Sequence, residues 1–360
     1  MPKIRVLVAD DSLTIRKYLV EVLRADPDLE VVGEASTGKE AIALCQSLRP
    51  DVITMDMMMP VMTGLAATEY IMAHFPTPIL VVSASINRGE LFKTYDALTA
   101  GALDVLDKPT GDETNAEWER KLVSTVKLLS RIRVITHPRA RLERSSAPSA
   151  PASPRVKTAP DATGTDSFEV VAIGASTGGP GAIVDVLRGI PTSFEIPILF
   201  VLHISEPFAL AFAEWLDAQT PRAVRYAKSG DLIESARGQV LMAPPDYHLG
   251  VSNGRAFLNR APERHSCRPS VDVLFESVAQ EYGKAAAGCL LTGMGRDGAA
   301  GLAEIRKAGG FTIAQDESTC VVYGMPREAV LLDAAMRVLT LPKIGPAIAA
   351  LANRVPRSPA

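Results

Sequence analysis

Residues 136–167 divide this chain of 360 residues. The stretch is rich in Pro, Ser, Ala and Thr and carries few bulky apolar side chains, so little of it can be buried against a core. Arginines cluster around its start: Arg131, Arg133, Arg139, Arg141 and Arg144. Each flanking half must enclose a core of its own. The expectation is two domains joined by a flexible linker.

Both halves alternate short β-branched runs with helically spaced segments, the pattern of a parallel α/β sheet. In the first half, strands are predicted over 4–9, 30–34, 51–55, 78–82 and 103–106, with helices over 13–24, 38–48 and 117–133. In the second half, strands are predicted over 170–173, 196–202, 239–243, 255–258, 285–291 and, as the last clear one, 312–315. A helix is predicted over 271–280. Ligands bind such sheets at the carboxyl ends of the strands.

Five chemistry-bearing residues of the first half fall at such ends. Asp10, Asp11 and Asp56 crowd negative charge that a hard divalent cation would relieve. Mg²⁺ suits oxygen donors and takes phosphate oxygens readily. With such a cation in place Asp56 can accept a phosphoryl group, its oxygens held by Lys108 and Ser83.

In the second half, Ser176 lies on a strand-to-helix turn within Gly174-Ala-Ser-Thr-Gly178. That spelling fits a nucleophile elbow, and Pro180 suits the first turn of the helix that follows. His203 and Asp297 fall at two other strand ends. A serine needs a base to take its proton, and the base needs a carboxylate to orient it. The chain order Ser, His, Asp differs from that of α/β-hydrolases, whose histidine comes last.

Residues 1 to about 125 resemble the receiver domain of two-component response regulators. The pieces that carry the likeness are Val8-Ala-Asp-Asp11, Asp56-Met-Met-Met-Pro60 with Gly64, Ser83-Ala84, and Gly101-Ala102 through Lys108-Pro109. The resemblance implies that Asp56 is the phosphoacceptor and a histidine kinase the phosphodonor. It implies Mg²⁺ held by Asp11, Asp56 and the Met58 carbonyl, with Asp10 helping through water. Val105 stands where many receivers have an aromatic residue, and Met58 where they have an acidic or polar one.

Residues 168 to about 350 resemble the catalytic domain of the chemotaxis receptor methylesterase family, CheB. The likeness rests on Ile173-Gly-Ala-Ser-Thr-Gly-Gly-Pro180, His203, Arg268-Pro-Ser-Val-Asp-Val-Leu-Phe275, Leu291-Thr-Gly-Met-Gly-Arg-Asp-Gly298, Ala314-Gln-Asp-Glu317 and Tyr323-Gly-Met-Pro326. By this resemblance Ser176 is nucleophile, His203 base and Asp297 orienting acid, with oxyanion donors in the backbone N–H groups near Thr177 and Met294. It implies demethylation of glutamate methyl esters on chemoreceptors, deamidation of receptor glutamines, and no cofactor for the esterase half. Arg296 replaces the family's usual Asn, a change able to alter either the His–Asp spacing or the preference for substrate charge.

The fold expected is α/β throughout: a flavodoxin-like receiver over 1–125, the end of its last helix and the linker over 126–167, and a Rossmann-like esterase domain over 168–355. The unphosphorylated receiver is expected to lie over the Ser176 cleft. A nucleotide-binding module is the rival reading, but the glycine spacing around Ser176 is not G-x-G-x-x-G and the second strand ends at His203 rather than a carboxylate. A net charge of −3 gives no reason to expect nucleic acid or an anionic membrane. No direct membrane insertion is expected, since the longest apolar run is too short to span a bilayer. Four cysteines without a C-x-x-C pair, and a first strand that begins almost at once, suggest reduced thiols in the cytosol.

Overall fold

The computed structural model describes residues 2–84, 87–109, 116–132, 134, 168–204 and 206–353. The expected linker at 136–167 lies outside them. The chain divides into two compact units, 1–149 and 150–360.

The first unit alternates β1 (Ile4–Ala9), α1 (Leu13–Ala25), β2 (Leu29–Ala35), α2 (Gly38–Leu48), β3 (Val52–Met55), α3 (Gly64–His74), β4 (Ile79–Ser83), α4 (Arg88–Thr99), β5 (Asp104–Asp107) and α5 (Ala116–Leu129). Its five strands are parallel, in the order β2-β1-β3-β4-β5, the flavodoxin-like order. The central strands read as unbroken apolar runs because both faces are covered: Val6, Leu7, Val8, Ile53, Leu80 and Val81 are fully buried. Ser12, Thr37, Thr63 and Asn87 each begin a helix by accepting a backbone N–H with the side chain. The strand order reverses between β1 and β3, and a crevice opens there at the carboxyl ends.

The second unit is built on seven strands: β6 (Val170–Ala175), β7 (Ile198–Leu202), β8 (Val224–Tyr226), β9 (Val240–Met242), β12 (Ala286–Leu290), β13 (Phe311–Gln315) and β14 (Arg337–Leu339). All pair in parallel, in the order β14-β13-β12-β6-β7-β9-β8. A separate antiparallel hairpin, β10 (His248–Ser252) and β11 (Arg255–Asn259), turns at Asn253-Gly254, both in the left-handed region. The helix Val271–Tyr282 packs between this hairpin and the sheet, burying Val271, Leu274, Phe275 and Val278 in one cluster with Val170, Leu249 and Leu290.

Three of these strands go beyond the sequence reading. β8 and β14 are three-residue strands at the two edges of the sheet, and Arg225 and Arg337 break their apolar character, whereas the equally short β9 is apolar and buried throughout. β14 also means that the sheet continues past the strand read as its last. β10 is interrupted by Gly250, which stands there because the Phe257 ring fills the place of its side chain: a Cβ would fall 2.3 Å from Cζ. Among the described residues no helix is long and apolar enough to cross a membrane.

Candidate active site

The crevice of the first unit gathers all five expected side chains. β1 ends at Asp10 and Asp11, β3 at Asp56, β4 in Ser83 and β5 just before Lys108. Lys108 Nζ bridges Asp10 Oδ2 at 2.8 Å and Asp56 Oδ1 at 3.1 Å. Carboxylate oxygens of Asp10, Asp11 and Asp56 all lie within 4.8 Å of one another. Burial raises the pKa of Asp10 and of Asp56, and the Lys108 ammonium only partly offsets it. Burial disfavours the Lys108 cation too, yet its two carboxylate partners raise its pKa. Ser83 Oγ is buried without a hydrogen-bond partner among the described residues. Hard oxygen donors, surplus negative charge and a waiting hydroxyl fit Mg²⁺ with phosphoryl oxygens beside it. Met58 follows in the loop after β3, with its Sδ 3.3 Å from Lys93 Nζ.

In the second unit the sheet register brings the serine and histidine side by side. β6 and β7 pair Ala175 with Leu202, and the His203 N–H to Ala175 C=O bond, 3.0 Å, extends the ladder by one rung. Ser176 and His203 are therefore the first residues past two adjacent strand ends. On the other flank β12 pairs Leu290 with Gly174, and Ser176 N–H donates to Thr292 C=O at 3.0 Å. Gly293 passes so near that a Cβ there would fall 2.7 Å from Ser176 Cβ. The Ser176 turn is closed by Gly179 N–H to Ser176 C=O, 2.6 Å, with Gly178 at φ +77°, a value suited to glycine.

The loop beyond Gly293 returns Asp297 to the histidine. Asp297 Oδ2 lies 2.8 Å from His203 Nε2. The carboxylate sits on the N-terminus of the helix Val271–Tyr282, taking Val271 N–H on Oδ2 at 2.7 Å, with Asp272 N–H at 3.1 Å and Ser270 O–H at 2.7 Å on Oδ1. Burial opposes the Asp297 charge, but His203, Ser270 and the Val271 N–H outweigh it and hold its pKa below the usual range. Burial likewise opposes the His203 imidazolium. Asp297 and Cys267 prevail, and the pKa is raised to about 9.

With Nε2 taken by Asp297, Nδ1 is the nitrogen left to receive a proton. No hydrogen bond joins it to Ser176 Oγ among the described residues. The backbone N–H groups of Thr177 and Met294 are likewise unbonded among the described residues. Beside His203 runs an open groove of about 590 Å³, lined by His265, Ser266, Cys267, Met294, Gly295, Arg296, Asp297 and Glu328. Arg296 turns its Nε toward His265 Nδ1 at 3.2 Å, and the His203–Asp297 contact beside it keeps an ordinary length.

Two partners escape the sequence reading. Ser270 carries a sequence signal, as a serine opening a predicted helix, but its bond to Asp297 does not. Cys267, with Sγ 3.7 Å from His203 Nδ1, stands with Ser266 as a departure from the family's pattern, but no signal ties it to His203. It is held there by a two-residue turn, closed by reciprocal Arg264 and Cys267 backbone bonds, in which His265 and Ser266 both take positive φ.

Two families match the chain: the response regulator receiver domain over 6–117 and CheB methylesterase over 171–348. A protein-glutamate methylesterase/protein-glutamine glutaminase of Anaeromyxobacter dehalogenans is 45% identical, covering 95% of each chain. One from Nitrosospira multiformis is 42% identical, covering 98% of this chain and 97% of its own. The crystal structure of the Thermotoga maritima CheB methylesterase catalytic domain is similar at 35% identity with a TM-score of 0.49, over 52% of this chain and 100% of that one. With near-complete coverage at such identity, the chain belongs to the CheB methylesterase family, and it carries that family's methylesterase domain behind a response-regulator receiver.

Proposed function

We propose that this chain removes methyl groups from glutamate methyl esters on chemoreceptors, through Ser176, His203 and Asp297. The observation that carries the reading is the contact of Asp297 with His203 Nε2, at a strand end adjacent to that of Ser176. Ser176 Oγ attacks the ester carbonyl while His203 Nδ1 takes its proton. Asp297 steadies the imidazolium from the far side of the ring. The developing oxyanion is met by the N–H groups of Thr177 and Met294. His203 returns the proton to the departing methoxy group, and methanol leaves. Water, activated by His203 in turn, cleaves the acyl-enzyme to a glutamate carboxylate. A glutamine side chain enters the same path with ammonia as the leaving group, so deamidation of receptor glutamines comes with it.

The receiver supplies control. We assign Asp56 as phosphoacceptor for a histidine kinase, with Mg²⁺ held by Asp10, Asp11, Asp56 and the Met58 carbonyl. When bound, that ion offsets the charge of the phosphoryl oxygens. Ser83 Oγ and Lys108 Nζ bind the oxygens that remain. The receiver spans 1–125, the joint 126–167 and the esterase 168–355, and the chain acts in the cytosol on receptor segments exposed there. The test is methanol release from methylated receptor. Loss of release in Ser176→Ala with an unchanged fold supports the assignment, and release at the unsubstituted rate refutes it.

A further inference from the structure

We infer that His203 and Cys267 form an inhibitory binding site for a thiophilic divalent cation such as Zn²⁺, directly on the nitrogen that would serve as base. The metal site rests on geometry alone. That it inhibits rests on the hydrolytic reading above.

Ligating atoms of His203, Cys267 and Asp297 lie within 4.8 Å of one another. They do not contribute alike. Both Asp297 oxygens are occupied, Oδ1 by Ser270 and Asp272 and Oδ2 by Val271 and His203. Asp297 is thus the carboxylate partner of a metal-bound histidine rather than a ligand. By accepting from Nε2–H it leaves Nδ1 as the nitrogen from which a metal would displace the proton. Cys267 Sγ lies 3.7 Å from that nitrogen. Tetrahedral zinc with ordinary Zn–S and Zn–N lengths places its sulfur and nitrogen ligands about 3.5 Å apart, so the pair is spaced almost as the ion requires.

The site is also pre-set and open. His265 (φ +52°) and Ser266 (φ +59°) hold non-glycine left-handed backbone in the turn that presents Cys267. Such conformations cost about 1 kcal/mol or more each and persist where the surroundings impose them. Cys267 is half-buried, unpaired and on the wall of the open groove, which provides a route in. Binding displaces a proton from each ligand: the His203 imidazolium, Cys267–SH and M²⁺ give a singly positive Nδ1–M–Sγ unit and two H⁺, with water in the remaining positions. Cys45, Cys289 and Cys320 are buried in the cores and do not compete.

The test uses the full chain freed of metal, with the receiver saturated by Mg²⁺, and Co²⁺ as the probe. A thiolate-to-cobalt charge-transfer band should grow to one equivalent, disappear in Cys267→Ala, and be displaced by Zn²⁺. Asp297→Asn should weaken Co²⁺ affinity about 10- to 100-fold, the usual effect of losing the carboxylate behind a ligating histidine. Zn²⁺ should stop methanol release, and EDTA should restore it. No thiolate band in the unsubstituted chain, or a band that survives in Cys267→Ala, overturns the metal site and leaves the triad untouched. A band with full hydrolysis at saturating Zn²⁺ overturns the inhibition and, separately, the role of His203 as base.

Discussion

Asp297 engages His203 through Nε2, not Nδ1, at 2.8 Å. The nitrogen left for the proposed base role is therefore Nδ1, the one nearer the backbone, the reverse of the chymotrypsin arrangement, in which the aspartate holds Nδ1 and Nε2 serves as base. His203 can be used this way because its backbone continues the β6–β7 ladder, which sets the ring at the strand end.

Ser176→Ala, His203→Ala and the double substitution should lose similar, large fractions of methanol release. Residues acting as one catalytic unit are strongly non-additive, with losses on the order of 10⁴ to 10⁶ in the best-studied case. Losses that multiply in the double variant would mean that the two residues work independently.

The pH profile should be displaced toward alkali. A base with a pKa raised to about 9 is protonated at neutral pH, so kcat/KM should climb from pH 7 to about 9 instead of levelling off near 7. Cys267→Ala should move that limb to lower pH, since the Cys267 sulfur helps to hold the proton on His203. Stability should run the other way. A group with a raised folded-state pKa contributes fully below its unfolded value of 6.5, and the contribution is lost as pH rises through about 9. Denaturant midpoints measured across that window should fall in the unsubstituted chain and stay flatter in His203→Ala.

Ser270→Ala should cost about 1.5–3 kcal/mol of stability, the range for a hydrogen bond to a charged group. It should also lower kcat more than KM, because Asp297 loses a donor while the groove wall is unchanged. Thermal melting and steady-state kinetics on one preparation check both parts. A rise in KM alone would place Ser270 in substrate binding.

Mg²⁺ and a small acyl phosphate should add one phosphoryl group, seen by intact mass at neutral pH, and raise the rate of methanol release. Asp56→Asn should lose both responses together. Labelling that persists in Asp56→Asn would move the acceptor to Asp10 or Asp11.

Strand-end chemistry was the part most legible in the sequence. Asp10, Asp56, Lys108, Ser176 and His203 each end an apolar run, and a parallel sheet delivers all such ends to one edge. Asp297 was harder to read, because six residues separate it from the end of β12 and it depends on the helix Val271–Tyr282 for its place. Cys267 could not be tied to His203 at all. Its approach to His203 needs positive φ at His265 and Ser266, which side-chain propensity argues against. Gly250 hid β10 for a related reason, since the ring that replaces its side chain comes from the partner strand.

The hydrolytic geometry is set by strand spacing and one helix end, whereas the outer groove wall adds Arg296 from a loop and Glu328 from the helix Met325–Leu331. The two can therefore vary separately. Exchanging Arg296 or Glu328 should change the preference among receptor sequences while turnover of a minimal methyl ester stays nearly constant, which makes this wall a natural place to retarget the esterase.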